Sequence, residues 1–136
     1  MAEPGWELQK AIYSSLSADA GLTTLLGGPA IYDRAPANAD FPYVTFSSAN
    51  IADWSTQTDR GHEHEVRLDI WSRENGRGAA LEIAAAIDAA LSGAVLVLSG
   101  HDLINFTFEQ SDIALDEDGD TFHAVLRYRA VTEQGA

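Results

Sequence analysis

The 136-residue chain has no cysteine, one methionine, four prolines and a single lysine among its eight basic residues. Without cysteine there is no disulfide, no thiolate metal site and no cysteine nucleophile. No run of 18 apolar residues occurs, and Met1 to Trp6 lack the basic and apolar regions of a signal peptide. The expectation is a soluble protein with no membrane partner and no usual secretory route. Basic charge is scarce: Lys and Arg total 8 against 21 Asp and Glu, a formal charge of -13. Such a surface repels DNA, RNA and anionic lipid but accepts a basic partner surface. Neither a Gly-x-Ser-x-Gly elbow nor a Gly-Lys-Ser/Thr phosphate loop is present. The acidic run Asp116 to Asp120 does not complete a calcium loop, because the sixth and twelfth positions hold Thr121 and Arg127 where glycine and glutamate are required.

Hydrophobic residues make up 46% of the chain and charged residues 21%, the balance of one globular domain spanning residues 1–136. Its organising stretch is Gly61 to Leu91. His64, Val66, Leu68 and Ile70 alternate as on a half-buried strand, and Ala80, Ile83, Ala84, Ile87 and Leu91 then repeat at helical spacing. A strand and a helix with one apolar side each form the two layers of a core. Upstream, Leu8, Ala11, Ile12 and Leu16 predict a helix from about Pro4 to Leu16. Asp19 caps a shorter helical piece that Gly27-Gly28-Pro29 stops. Ile31-Tyr32 suggests a short strand, Pro42 opens a strand over Tyr43–Ser47, and the polar segment Ser48 to Arg60 reads as a long hairpin arm.

Downstream, Gly93 suits a left-handed helix cap, and the apolar run Val95 to Leu98 has no definite register. Ile104, Phe106 and Phe108 share a face, but Ile113 and Leu115 have the opposite parity, which predicts a bulge between Glu109 and Asp112. Asp118-Gly119 marks a hairpin turn, and Thr121 to Thr132 forms the last strand. The fold class that follows is α+β, an antiparallel sheet of about four main strands with two helices packed on one face and a long hairpin arm.

Two kinds of site remain. His62 and His64 are spaced to reach one metal ion, with His101 or His123 completing it, and this pair is the basis for an alternative reading as a metal-binding or small-molecule enzyme. Nothing in the spacing brings in the further ligands, so the favoured reading has no metal, no cofactor and no catalytic residue. The second kind is a surface. Glu63, Glu65, Arg67, Asp69 and Trp71 point away from the apolar side of their strand, as Arg127 and Arg129 do on the last one, and Trp54 sits in the polar arm. Tryptophan and arginine are enriched at protein interfaces, while partial burial within one chain explains the same residues without a partner.

The helix followed by a Leu-rich continuation, Ile31-Tyr32-Asp33 before Ala35-Pro36, the Phe41-Pro42-Tyr43-Val44 strand start, and Val66-Arg67-Leu68-Asp69-Ile70-Trp71-Ser72 before an Ala-rich helix ending Ala89-Ala90-Leu91 together resemble the tail-completion, or tail-terminator, proteins of long-tailed phages. The chain is most similar to the version carried by gene transfer agents, over about Leu8 to Thr132. The resemblance implies a structural α+β protein, assembling as a homo-hexameric ring in the tail of a phage-like particle between the tail tube protein and the head-proximal connector (stopper) protein. It implies no catalysis and no cofactor, an arm reaching a neighbouring subunit or ring, and DNA passing the lumen without specific binding. Acids on the lumen side of such a ring would keep the duplex from sticking.

Overall fold

The computed structural model describes residues 3–73 and 76–135, so Glu74 and Asn75 of the polar stretch Ser72–Gly76, which the sequence predicts as a turn, lie outside the described residues. Helices α1 (Pro4–Ser17) and α2 (Ala20–Leu26) are followed by β1 (Ile31–Tyr32), β2 (Tyr43–Asp53) and β3 (Gly61–Ser72). Helix α3 (Gly78–Ser92) then leads to β4 (His101–Leu115) and β5 (Phe122–Gln134). The strands form one sheet in the order β1-β2-β3-β5-β4, antiparallel except for the β1–β2 pair. The four main strands and two main helices are as expected, with α2 and the two-residue β1 filling out the layers. Helix α3 carries the chain across the sheet, leaving the place beside β3 for β5.

Local chemistry fixes the helix ends. Pro4 occupies the first turn of α1, and the Glu3 carboxylate accepts from the N–H groups of Gly5 and Trp6 at 3.0 and 2.7 Å. Asp19 caps α2 by accepting from the N–H of Leu22 at 2.9 Å, and Gly27 ends it in the left-handed region with φ 78°. Gly93 does not play that part after α3. Its φ of -90° is right-handed, and its N–H simply continues the helical pattern to the carbonyl of Ala89 at 3.2 Å. The segment that follows is not a strand. Leu98 is buried and Leu96 partly so, while Val95 and Val97 are 89% and 78% exposed. Its end is tied to α1 by Glu7, which accepts from the N–H of Ser99 at 3.3 Å and pairs with Lys10 at 2.7 Å.

The core lies between the helices and one side of the sheet. Leu8, Ile12 and Leu16 of α1 and Ile83, Ile87 and Leu91 of α3 pack with Leu68, Ile70, Leu126 and Tyr128. Full burial of one such side chain contributes about 1.5–3 kcal/mol. Tyr128 keeps its hydroxyl satisfied at the core's rim by donating to Asp88 at 3.0 Å. Burial of the ring raises the phenol's pKa well above its usual value, and the bond to Asp88 adds to the shift.

Three register shifts explain where the alternation in the sequence fails. One in β4 lies between Phe108 and Gln110, at the edge of the expected interval, with Glu109 as the extra residue. A second, between Leu103 and Asn105, corrects the reading of that strand. Leu103 pairs with Thr132 on the core side, and Ile104 is the exposed extra residue rather than a face-mate of Phe106. The third, in β2 between Phe46 and Ala49, exchanges the parity of the strand, so that Ile51 pairs with buried His64. The hairpin arm is therefore strand as far as Asp53. Only Trp54 to Arg60 form its loop, closed by Trp54 N–H donating to Gly61 O at 2.9 Å. A Cβ at Gly61 would lie 3.1 Å from Thr132 O and 3.2 Å from Trp54 O, so a larger residue there requires the neighbouring backbone to give by a few tenths of an ångström.

Candidate functional site

All three helices contribute to the core on one side of the sheet. Alternation along β3 sends Glu63, Glu65, Arg67, Asp69 and Trp71 to the other side, and the register of β5 sets His123, Arg127 and Arg129 beside them. The eight residues singled out from the sequence thus come together, with Trp54 at the edge, on a single sheet face that no element among the described residues covers. Its centre is Asp69, only 2% exposed. Arg67 grips it through Nε and Nη2, at 2.8 Å to Oδ1 and 2.9 Å to Oδ2. His123 Nε2 donates to Oδ2 at 2.5 Å. Burial alone would raise the Asp69 pKa, but the bonds from Arg67, His123 and Ser47 outweigh it and hold the carboxyl below its usual value.

Trp71 lies flat on the His123 ring, with centroids 3.8 Å apart and planes 11° from parallel, and its Nε1 donates to Thr45 Oγ1 at 3.1 Å. Tyr43 extends the row, its ring centroid 6.3 Å from that of Trp71. Trp71 is therefore half-buried by its strand neighbours, whereas Trp54 is 52% exposed with the Arg129 guanidinium 5.2 Å from its ring centre. Arg129 Nε also donates to Glu63 Oε2 at 2.7 Å. Glu65 is exposed, and Arg127 stands half-buried between Arg67 and Gln110 on the flanking strands. His123 is the member that sequence reasoning missed. The parity of the last strand already sets it with Arg127 and Arg129, but its place beside Asp69 depends on the strand register.

The histidines do not assemble. His62 and His64 share the core side with ring centroids 6.3 Å apart, yet His64 is buried and hydrogen-bonded through Nε2 with Thr132 Oγ1 at 2.9 Å. Burial, helped by the nearby His62 and His101 and opposed by Glu3, lowers the His64 pKa. His123 is on the opposite face at the other end of β3, across from Trp71. Among the described residues no group of three or more His, Cys, Asp or Glu could hold a metal ion.

What the described residues offer here is a charged and aromatic surface, without a nucleophile paired to a base. Residues 10–133 match the family "Tail completion protein gp17". The chain belongs to that family. It is a structural family of phage-like particles and not an enzyme family, which removes the His62/His64 enzyme reading. Thirty-five chains of solved structures match with significance. One, from "Virion of native gene transfer agent (GTA) particle", is 34% identical, with a TM-score of 0.87 over 95% of this chain and 96% of that one. Another, from "Structure of bacteriophage SPP1 gp17 protein", is 20% identical, with a TM-score of 0.64 over 93% and 89%, and it shows the shared fold. No curated protein matches the chain in sequence. This tail-completion chain is thus more like the gene transfer agent component than the SPP1 one. No helix among the described residues is long and apolar enough to cross a membrane.

Proposed function

We propose that this tail-completion protein forms a homo-hexameric terminator ring, seated between the tail tube and the head-proximal connector, through which DNA passes during delivery. The observation that carries the reading is the near full-length match to a chain of a gene transfer agent virion, at 34% identity. The uncovered sheet face supports it. A face with half-buried arginines and a stacked tryptophan, open in one chain, is suited to contact between copies. Trp54, Glu63, Glu65, Arg67, Asp69, Trp71, Arg127 and Arg129 are the residues assigned to subunit or ring contact. The loop from Trp54 to Arg60, exposed throughout, reaches a neighbouring subunit or ring.

The charge of -13 gives the ring its second property. Acids facing the lumen repel phosphates and let the duplex slide without binding. Deleting the chain from a producer strain tests the role: filled heads and tail tubes should accumulate unjoined, as seen by electron microscopy. Normally joined particles in the deletion strain would contradict the proposal.

A further inference from the structure

Arg127 lies near the middle of the uncovered face, with Arg67 directly opposite on β3 and Gln110 opposite on β4. Arg67 is committed to Asp69 and Arg129 to Glu63. Among the described residues Arg127 has neither an ion pair nor a side-chain hydrogen bond, although Glu65, Asp69 and Asp112 stand diagonally to it. Like charges directly opposite one another on neighbouring strands are unfavourable. No ion pair among the described residues uses this guanidinium, whose planar fork is well shaped to grip a carboxylate.

We infer that Arg127 receives a carboxylate, Glu117 or Asp120, from the β4–β5 turn of a second copy of the chain in a head-to-tail contact. The inference rests on the ring reading above and names its contact. The turn is built to present charge. Asp118 Oδ1 accepts from the N–H groups of Asp120 and Thr121 at 2.9 Å each, and Oδ2 accepts from the Thr121 hydroxyl at 2.7 Å. Glu117 and Asp120 are thereby held exposed on a fixed loop, with no ion pair among the described residues. The face and the turn are different surfaces, so the contact is heterologous and closes into a ring when the rotation permits. A DNA phosphate is the less suitable occupant. A duplex carries about one charge per 1.7 Å of axis and would lay phosphates over Glu63, Glu65 and Asp112, whereas a turn brings one or two carboxylates.

The chain lacks cysteine, which makes an engineered pair a clean probe. Within one chain, five residues of extended β5 separate Phe122 from Arg127, roughly 16 Å at the usual strand rise, well beyond the Cα separation of about 7 Å that a disulfide tolerates. In particles carrying Arg127→Cys with Glu117→Cys, oxidation should produce a ladder of linked copies that neither single variant gives. R127E should lower the yield of joined particles about tenfold or more, as loss of an interface anchor does, and E117R with D120R should restore it. The isolated R127Q chain should unfold no earlier than wild type. R127E joining at wild-type yield, R127Q unfolding earlier, or a short synthetic duplex bound by the wild-type chain and lost in R127Q would each overturn the inference. A harmless R127E in a system where deletion of the chain blocks joining defeats this contact alone, whereas normal joining after deletion defeats the ring reading.

Discussion

The two faces of the β3–β5 ribbon are made from alternate residues of the same two strands, yet they follow different rules. On the inner side Leu68, Ile70, Leu126 and Tyr128 are almost fully buried by α1 and α3. On the outer side Arg67, Asp69, Trp71 and His123 satisfy one another through ion pairs, stacking and hydrogen bonds, with no layer of the described residues above them. The inner face is explained by one chain alone, because burying it supplies much of the folding energy. The outer face is only partly explained so, since among the described residues Arg127 has no ion pair or side-chain hydrogen bond and Trp54 is half exposed. The contrast separates residues that make the fold from residues held ready for something else.

The largest expected effect lies on the inner side. Leu68→Ala should cost about 2–5 kcal/mol, measured by urea unfolding of the isolated chain. A cost below 1 kcal/mol, on the order of a surface change, would mean that the helices do not pack there as described. Asp69→Ala is the next largest effect and the sharpest test of the outer side. It leaves Arg67 and His123 without their shared acceptor and should cost about 1–3 kcal/mol. A neutral result would show that the cluster is ornament on a face needed only for contact.

Acidity sets the two sides apart by pH. His64, on the inner side, has a lowered pKa in the folded state, so the unfolded chain binds its proton first. Stability from this residue is present above about pH 6.5 and is lost as pH falls below it. Asp69 is also lowered, and Asp118 is lowered to about 2, chiefly by its bond from the Thr121 hydroxyl. Their contributions are present above about pH 4 and are lost below it. A stability profile with two successive declines is expected, and His64→Gln should remove the first and keep the second. The smallest effect belongs to Trp54→Ala, which should stay within about 0.5 kcal/mol of wild type in the isolated chain while lowering the yield of joined particles.

Much of this was legible in the sequence because periodicity reports burial. The stripe from Ala80 to Leu91 and the alternation from His64 to Ile70 define the two layers, and the Asp19 and Gly27 signals place the ends of α2. The parity change between Phe108 and Ile113 even points to a bulge, found between Phe108 and Gln110. The other two bulges were hidden. Ile104 looks like one more apolar face residue, and the shift after Phe46 makes a strand resemble a polar arm, because an extra residue erases the pattern by which a strand is recognised. For the outer face, the residue types and parity were readable, but the junction of Asp69 with His123, 54 positions away, depends on register. Gly93 shows the opposite limit: glycine permits a left-handed cap without imposing one.

A near-atomic map of the assembled particle tests the central claim most directly. Six copies are expected in a ring at the head-proximal end of the tail tube, with the Arg67–Trp71–Arg127 face of each covered by its neighbour. A ring in which that face is open to bulk solvent, or a chain absent from the junction, would contradict it.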